Sequence, residues 1–404
     1  MRLFLVFLIF INTIHAGYNL DEKIGQMILV GFRGSEIDVN HQVVKDIKQS
    51  KIGSIILFDY DVKLESRKRN VIDKDQLIDL TKRVQRESEI PLLITVDQEG
   101  GLVQRLKQRH GFHKVLSPEE IGKKNNLNFT YSESKKLAKD LESVGINLNF
   151  APSADVNTNP NNPVIGKIER SYSSDPKKVS QHVAAFIKSH HEQNIGTTIK
   201  HFPGHGSSKG DSHKGFVDVT ETWRDLELIP FTDMIKQNQV DILMSAHIFN
   251  GSLDPYYPAT LSKKVLQDLL RGELKYDGVI ISDDMNMSAI TDHYGFERAI
   301  ELAINAGVDI LLFGNNLIYE KEIAFKVHKA IHKLLDEDRI TIDQINSSFN
   351  RIMSLKKKLK LIKNFDIAQV STLKRGIANK KSVLDKILMK KNYEVFKKLK
   401  KMEN

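Results

Sequence analysis

Cysteine is absent from all 404 residues, and tryptophan occurs once. The missing cysteine removes disulfides, thiolate zinc sites, a thiol nucleophile and a lipid-modified cysteine from this sequence. Proline, at 10 positions, and glycine, at 23, are too sparse for a collagen-like or Pro-rich low-complexity chain. No long apolar run follows Ile11, which excludes a polytopic membrane protein. What is present is ordinary for a folded protein, with 40% hydrophobic and 27% charged residues. The length accommodates two or three small domains, or one barrel of about 250 residues with additions. Either buries enough apolar surface to need no covalent staple.

The formal charge of +9 is unevenly spread. From Lys356 onward there are 15 Lys and one Arg against four acidic residues, a net of +12, while the rest of the chain is at −3. Specific nucleic-acid binding is therefore not expected, and any attraction to an anionic surface belongs to the C-terminal end. Residues 382–401 carry Val383, Leu384, Ile387, Leu388, Val395, Phe396 and Leu399 at roughly helical spacing. They read either as a basic amphipathic helix touching an anionic envelope or as a helix docked by its apolar face. The other end begins with Arg2, an apolar stretch over 3–11, and a small residue at Ala16. That pattern predicts a secretory signal peptide over residues 1–16, hence export to a periplasm or the outside. A hydrophobic first helix or an uncleaved anchor is the alternative.

Between the ends, short apolar runs alternate with helix-period segments. The runs are 26–32, 52–58, 91–96, 145–150, 197–201, 242–247, 278–282 and 308–313. Their Ile, Leu and Val content suits parallel strands buried on both faces. Amphipathic stretches at 76–87, 131–144, 176–194, 223–237, 263–270, 296–306 and 320–335 separate them. Eight strands alternating with helices predict a (β/α)8 barrel over residues 17–363, followed by a basic helical extension over 364–404. A doubly wound open sheet is the alternative, weakened because no Gly-rich dinucleotide turn follows the first strand. Thr341 is placed to cap a helix packed on the barrel.

Ionisable residues gather where these strands end, which is where barrel enzymes keep their active sites. Asp97-Gln98-Glu99-Gly100-Gly101 follows the third strand, Lys200-His201 closes the fifth, His247 the sixth and Asp283-Asp284 the seventh. Beyond His201 runs a Gly-rich loop carrying His205, Asp211 and His213. Asp211 and His213 are two apart, so an extended loop can set both side chains on one side. A carboxylate beside an imidazole fixes its tautomer and raises its basicity for proton transfer. A carboxylate in the position of Asp283 can attack an anomeric carbon or stabilise an oxocarbenium-like transition state. Only one of Asp283 and Asp284 should face the substrate; the other suits capping of the following turn. Asp97 with Arg105, and Arg170, read either as loop ion pairs or as groups that hold a ligand. A metal site built from His201, His205, His213, His247 and Asp283 is the rival chemistry. It is weakened because the first strand ends Gly31-Phe32-Arg33-Gly34, without the His-x-His of metal-dependent amidohydrolase barrels.

Three segments carry a resemblance: Val96-Asp97-Gln98-Glu99-Gly100-Gly101, Lys200-His201-Phe202-Pro203-Gly204-His205-Gly206 with Asp211-Ser212-His213, and Ser282-Asp283-Asp284-Met285. Together they resemble glycoside hydrolase family 3, and within it the β-N-acetylglucosaminidase branch, over residues 20–363. The resemblance implies a (β/α)8 barrel that releases terminal β-linked N-acetylglucosamine with retention, as a cofactor-free monomer. It implies Asp283 as nucleophile, His213 as general acid/base tuned by Asp211, and Asp97, Arg105, Arg170, Lys200 and His201 as sugar-holding residues. A β-glucosidase or a phosphorylase of the same family, or a non-catalytic glycan-binding barrel, are the alternatives. The glycan, from peptidoglycan or chitooligosaccharide, is the expected partner.

Overall fold

The computed structural model describes residues 17–212 and 215–363. The signal peptide expected over 1–16, the basic extension over 364–404 and His213 all lie outside the described residues. Leu20–Lys363 forms one compact unit.

Eight parallel strands form its centre: β1 (Ile28–Gly31), β2 (Ser54–Ile56), β3 (Leu93–Val96), β4 (Leu148–Asn149), β5 (Gly196–Phe202), β6 (Ile242–Ser245), β7 (Val279–Ser282) and β8 (Leu311–Phe313). Each falls within or across one of the eight apolar runs. They pair in the order β7-β6-β5-β4-β3-β2-β1-β8. First and last meet in register, Ile28 opposite Leu311 and Val30 opposite Phe313. The remaining gap is bridged where Ile281 pairs with Ile310, and where the Met285 amide donates to the Leu312 carbonyl at 2.8 Å. The ring is thus a (β/α)8 barrel rather than an open sheet. Every residue of β1, β2, β3, β6 and β7 is buried. That is why these segments read as unbroken apolar runs rather than alternating ones.

The helices cover the ring by their apolar stripes. In α3 (Lys74–Arg86), Leu77, Leu80, Thr81 and Val84 recur at three- and four-residue steps and are buried. Asp73 caps its start, accepting the Gln76 amide at 2.9 Å, a contact whose loss costs about 1 kcal/mol. In α11 (Ile342–Lys358), Thr341 and Gln344 form a reciprocal capping box, as the sequence predicts for Thr341. One amphipathic stretch is divided. Trp223 leaves the helical path to donate its indole N–H to the Pro203 carbonyl at 3.1 Å, and helix α7 (Ile229–Lys236) begins just before Pro230. Proline suits a first helical turn, where its missing N–H has no partner to lose.

The two ends of the barrel differ. At the N-terminal end, Asp309 is buried and takes Arg271 at 2.9 Å, Arg351 at 2.7 Å and Ser348 at 2.8 Å. Lys356 is also buried there, donating to Gln26 and to the Gly53 carbonyl. This end is closed and structural. At the other end, an antiparallel hairpin pairs Gln98–Gly100 with Val103–Gln104, and a small parallel ladder joins Val217–Asp218 to Ile248–Phe249. The hairpin, through Val103, helps wall a cavity.

Candidate active site

The cavity, of about 330 Å³, opens at the C-terminal ends of the strands. Its walls include Asp97, Arg105, Arg170, Lys200, His201, Asp283 and Asp284, interleaved with Phe58, Val103, Phe150, Met244 and Leu312. Polar groups set among apolar walls are the usual make-up of a small-ligand site. Six of the eight expected site residues therefore come together although they are far apart in the chain. Asp211 lies half-buried on the loop after β5 and is not among the cavity walls.

Asp97 follows β3 and shares one oxygen with Lys200 Nζ at 2.8 Å and the other with Arg105 at 3.1 Å. Lys200, on β5, also reaches Glu99 at 2.7 Å. Glu99 is buried and takes Arg170 through both oxygens, at 2.7 and 2.9 Å. Five charges thus form one chain, Arg105–Asp97–Lys200–Glu99–Arg170. Burial alone would raise both carboxyls. The charges of Lys200 and Arg105 outweigh it at Asp97, holding that carboxyl well below the usual range. Arg170 and Lys200 hold Glu99 down at about 2. Both are permanent anions, able to accept hydroxyl groups and unable to donate a proton.

Arg170, read as either an ion pair or a ligand clamp, makes the ion pair with Glu99 and also borders the cavity. Besides Glu99, its guanidinium donates to the Val164 carbonyl at 2.9 Å and approaches His201 Nε2 at 3.2 Å. Because guanidinium only donates, Nε2 of His201 accepts, and the ring proton sits on Nδ1 facing Asp155 at 2.7 Å. Asp155, fully buried five residues beyond Phe150, also takes the backbone N–H groups of His201 at 3.2 Å and His205 at 2.7 Å. Against its burial, the neighbouring His201 keeps its carboxyl well below the usual range.

The loop after β5 is anchored behind the cavity. Gly206 packs so closely on the Val156 carbonyl that a Cβ there would lie 1.7 Å from the oxygen. Glu227, fully buried, accepts the Gly206 amide at 2.9 Å and the Ser207 amide at 3.3 Å. Burial pushes its carboxyl up to about 7. His205 is pushed down to about 4 by burial, with His201 adding to the effect. Its ring contacts Ser208 at 2.7 Å and Ser212 at 3.3 Å. His247 donates from Nε2 to the Asp284 carbonyl at 3.0 Å.

Asp283 and Asp284 both reach the cavity, against the expectation that only one would. They differ in what they hold. Asp284 Oδ1 accepts the Asn286 and Gly314 amides, each at 3.0 Å, so it caps the turn and fastens β8 to β7. Asp283 Oδ1 accepts the Asp284 amide at 2.8 Å at the mouth of β7.

Sequence reading passed over Asp155 and Glu227 as functional candidates and treated Glu99 only as part of a motif. An acidic residue five positions past a strand end was the available signal for Asp155. Glu227 carried none, since it acts on a loop about 20 residues away.

A strand-end cavity of opposed, fixed charges in a (β/α)8 ring is the arrangement of a barrel enzyme's active site. Residues 19–355 match the glycosyl hydrolase family 3 N-terminal domain, and the chain belongs to that family. It is 35% identical to a beta-hexosaminidase of Tolumonas auensis over 294 residues, covering 72% of this chain and 83% of the relative. It is 34% identical to beta-hexosaminidase A of Pseudoalteromonas piscicida over 336 residues, 78% of this chain, but spans only 54% of that longer relative. A family 3 beta-N-acetylglucosaminidase from Paenibacillus sp. superposes with a TM-score of 0.78 at 33% identity, covering 87% of this chain and 64% of that one.

Proposed function

We propose that the chain is a retaining β-N-acetylhexosaminidase that removes terminal, non-reducing N-acetylglucosamine from peptidoglycan fragments or chitooligosaccharides. The observation that carries the reading is the division of labour among the carboxylates. Asp97 and Glu99 are held as anions by their cationic partners, Asp97 on the cavity wall and Glu99 behind it, whereas Asp283, at the mouth of β7, opens on the cavity. The names of the relatives supply the sugar.

In this mechanism Asp283 attacks the anomeric carbon as the glycosidic oxygen leaves, forming a covalent glycosyl-enzyme. The leaving oxygen needs a proton. Asp97 and Glu99 do not carry one, and Glu227, though raised to about 7, is buried behind the loop on backbone amides. His213, which the family resemblance makes the acid/base with Asp211 tuning it, is the group assigned to deliver it. The neutral imidazole then takes a proton from water as the second step cleaves the acyl-like glycosyl ester. Asp97 accepts from sugar hydroxyls and Arg105 donates to their oxygens, while Arg170, Lys200 and His201 border the same cavity, hold the carboxylates in place and complete the sugar-holding wall. Export through residues 1–16 is part of the same proposal, and would deliver the enzyme to envelope glycans.

The test is release of chromophore from an aryl N-acetyl-β-glucosaminide and, in parallel, from the matching β-glucoside. Preference for the N-acetylated sugar by tenfold or more is expected. Preference for glucoside would assign a β-glucosidase; acceleration by inorganic phosphate would assign a phosphorylase; no release from either would favour a glycan-binding barrel.

A further inference from the structure

Away from the cavity, helix α1 (Leu20–Gln26) precedes β1, and helix α10 (Ile323–Asp336) follows β8. They flank the seam at which the first and last strands of the barrel pair. Asp21 on α1 faces His328 and His332 on α10. We propose that these three residues form a divalent transition-metal site, matched best to Zn2+, that staples the two helices across this seam.

The geometry is close to what a metal needs. His328 and His332 are four residues apart, so one helical face presents both rings. Their centroids lie 4.9 Å apart with the planes inclined at 45°. Asp21 Oδ1 lies 2.8 Å from His332 Nε2 and 3.9 Å from His328 Nε2, and the three ligand atoms all lie within 4.8 Å of one another. Donors bound to zinc at about 2.0–2.1 Å in a tetrahedron sit about 3.3 Å apart. The observed separations bracket that value, so shifts of about an ångström complete the site. Two imidazoles and one carboxylate suit Zn2+, Co2+, Ni2+ or Cu2+, whereas Ca2+ and Mg2+ require more oxygen ligands. The fourth position opens to water, since Asp21 is 59% and His332 33% exposed.

One further feature favours a metal over a plain hydrogen-bonded cluster. The two rings share Asp21 unevenly: His332 Nε2 lies 2.8 Å from its carboxylate, whereas His328 Nε2 is 3.9 Å from the same oxygen and donates instead to the Asp21 backbone carbonyl at 3.3 Å, so its proton would move to Nδ1 on binding an ion. A cation placed between the three would replace that shared, partly stretched arrangement with directed bonds. None of the three residues borders the cavity, so occupancy should register in stability and not in turnover.

The experiment uses the untagged full-length chain, freed of metal, and titrates Zn2+ alone by calorimetry. Parallel titrations use the H328A/H332A double variant and, separately, Asp21→Asn. The parent should bind one more Zn2+ than the double variant, and Asp21→Asn should weaken that site about tenfold or more. At a hundredfold excess over its Kd, Zn2+ should raise the parent's unfolding temperature by about 4 °C. The double variant should lose that rise and retain the parent's metal-free turnover. Co2+ should give tetrahedral visible absorption in the parent alone. Equal Zn2+ stoichiometry and affinity in parent and double variant would overturn the proposal, because any zinc would then sit elsewhere. No uptake by the parent at 100-µM-order Zn2+ would overturn it too, as would unchanged affinity in Asp21→Asn.

Discussion

At the scale of single residues, the cavity separates charges that bind from the one that can react. Asp283→Asn keeps the shape and the hydrogen bond from the Asp284 amide but removes the attacking charge, so kcat should fall by about a thousandfold or more. Asp284→Asn is the control. Its carbonyl can still accept the Asn286 and Gly314 amides, so kcat should change by less than about tenfold. Kinetics with an aryl substrate on both variants checks this; a larger loss at Asp284 would reassign the nucleophile. Asp97, Lys200, His201 and Asp283 were legible in the sequence because each ends or follows an apolar run and belongs to a recognisable motif; Arg105 and Arg170 were legible only as charged loop residues. What each one touches was not. Arg170 is committed to Glu99, 71 positions away, and His201 to Asp155, 46 away. Such pairings are fixed by tertiary folding, and local spacing carries no trace of them.

At the scale of elements, the strands were legible because burial on both faces leaves an unbroken apolar run. The short helices α1, α2 (Gln42–Gln49), α4 (Pro118–Lys124) and α8 (Ser288–Tyr294) were not. With seven or eight residues each, they complete only about two turns, too few for a helical period to stand out. The loop after β5 depends on a partner of this hidden kind. Glu227 holds the Gly206 and Ser207 amides from beneath, with its folded-state pKa raised to about 7 from an ordinary 4.5. Below about pH 4.5 the group is protonated in both folded and unfolded chains and costs nothing. Between 4.5 and 7 the unfolded chain ionises first and binds fewer protons, so stability falls as pH rises; above 7 the full cost remains. Glu227→Gln keeps an oxygen for the two amides and removes the ionisation. Relative to the parent it should be more stable at pH 8 than at pH 5 by on the order of 1–3 kcal/mol. Denaturant unfolding at the two pH values measures the difference, and a pH-independent gap would mean that Glu227 does not titrate with folding.

At the scale of the whole molecule, closure of the barrel was legible from eight runs and seven intervening helical stretches, but the excess positive charge counted from Lys356 belongs in part to the barrel itself. Lys356 is buried at the closed end of the barrel, and Lys358 pairs with Asp241 at 2.8 Å, so both belong to α11. Residues 364–404 alone carry ten Lys and one Arg against four acids, a net of +7. That charge is still opposite in sign to an anionic envelope polymer, and attraction between exposed charges decays over about 10 Å at 0.1 M salt. Removing residues 382–404 takes seven Lys and three acids with it, together with the apolar positions that would seat a helix on a surface. Turnover of a small aryl glycoside should stay within twofold of the parent, because among the described residues the cavity walls all belong to the barrel. Retention on purified sacculi or on vesicles containing anionic lipid should drop at least several-fold at 0.05 M salt, and the two chains should converge at 0.5 M as screening removes the parent's advantage. Equal retention at low salt would assign the extension to packing and take away the envelope as its partner; a difference that survives high salt would place the attraction in the apolar face rather than in the charge.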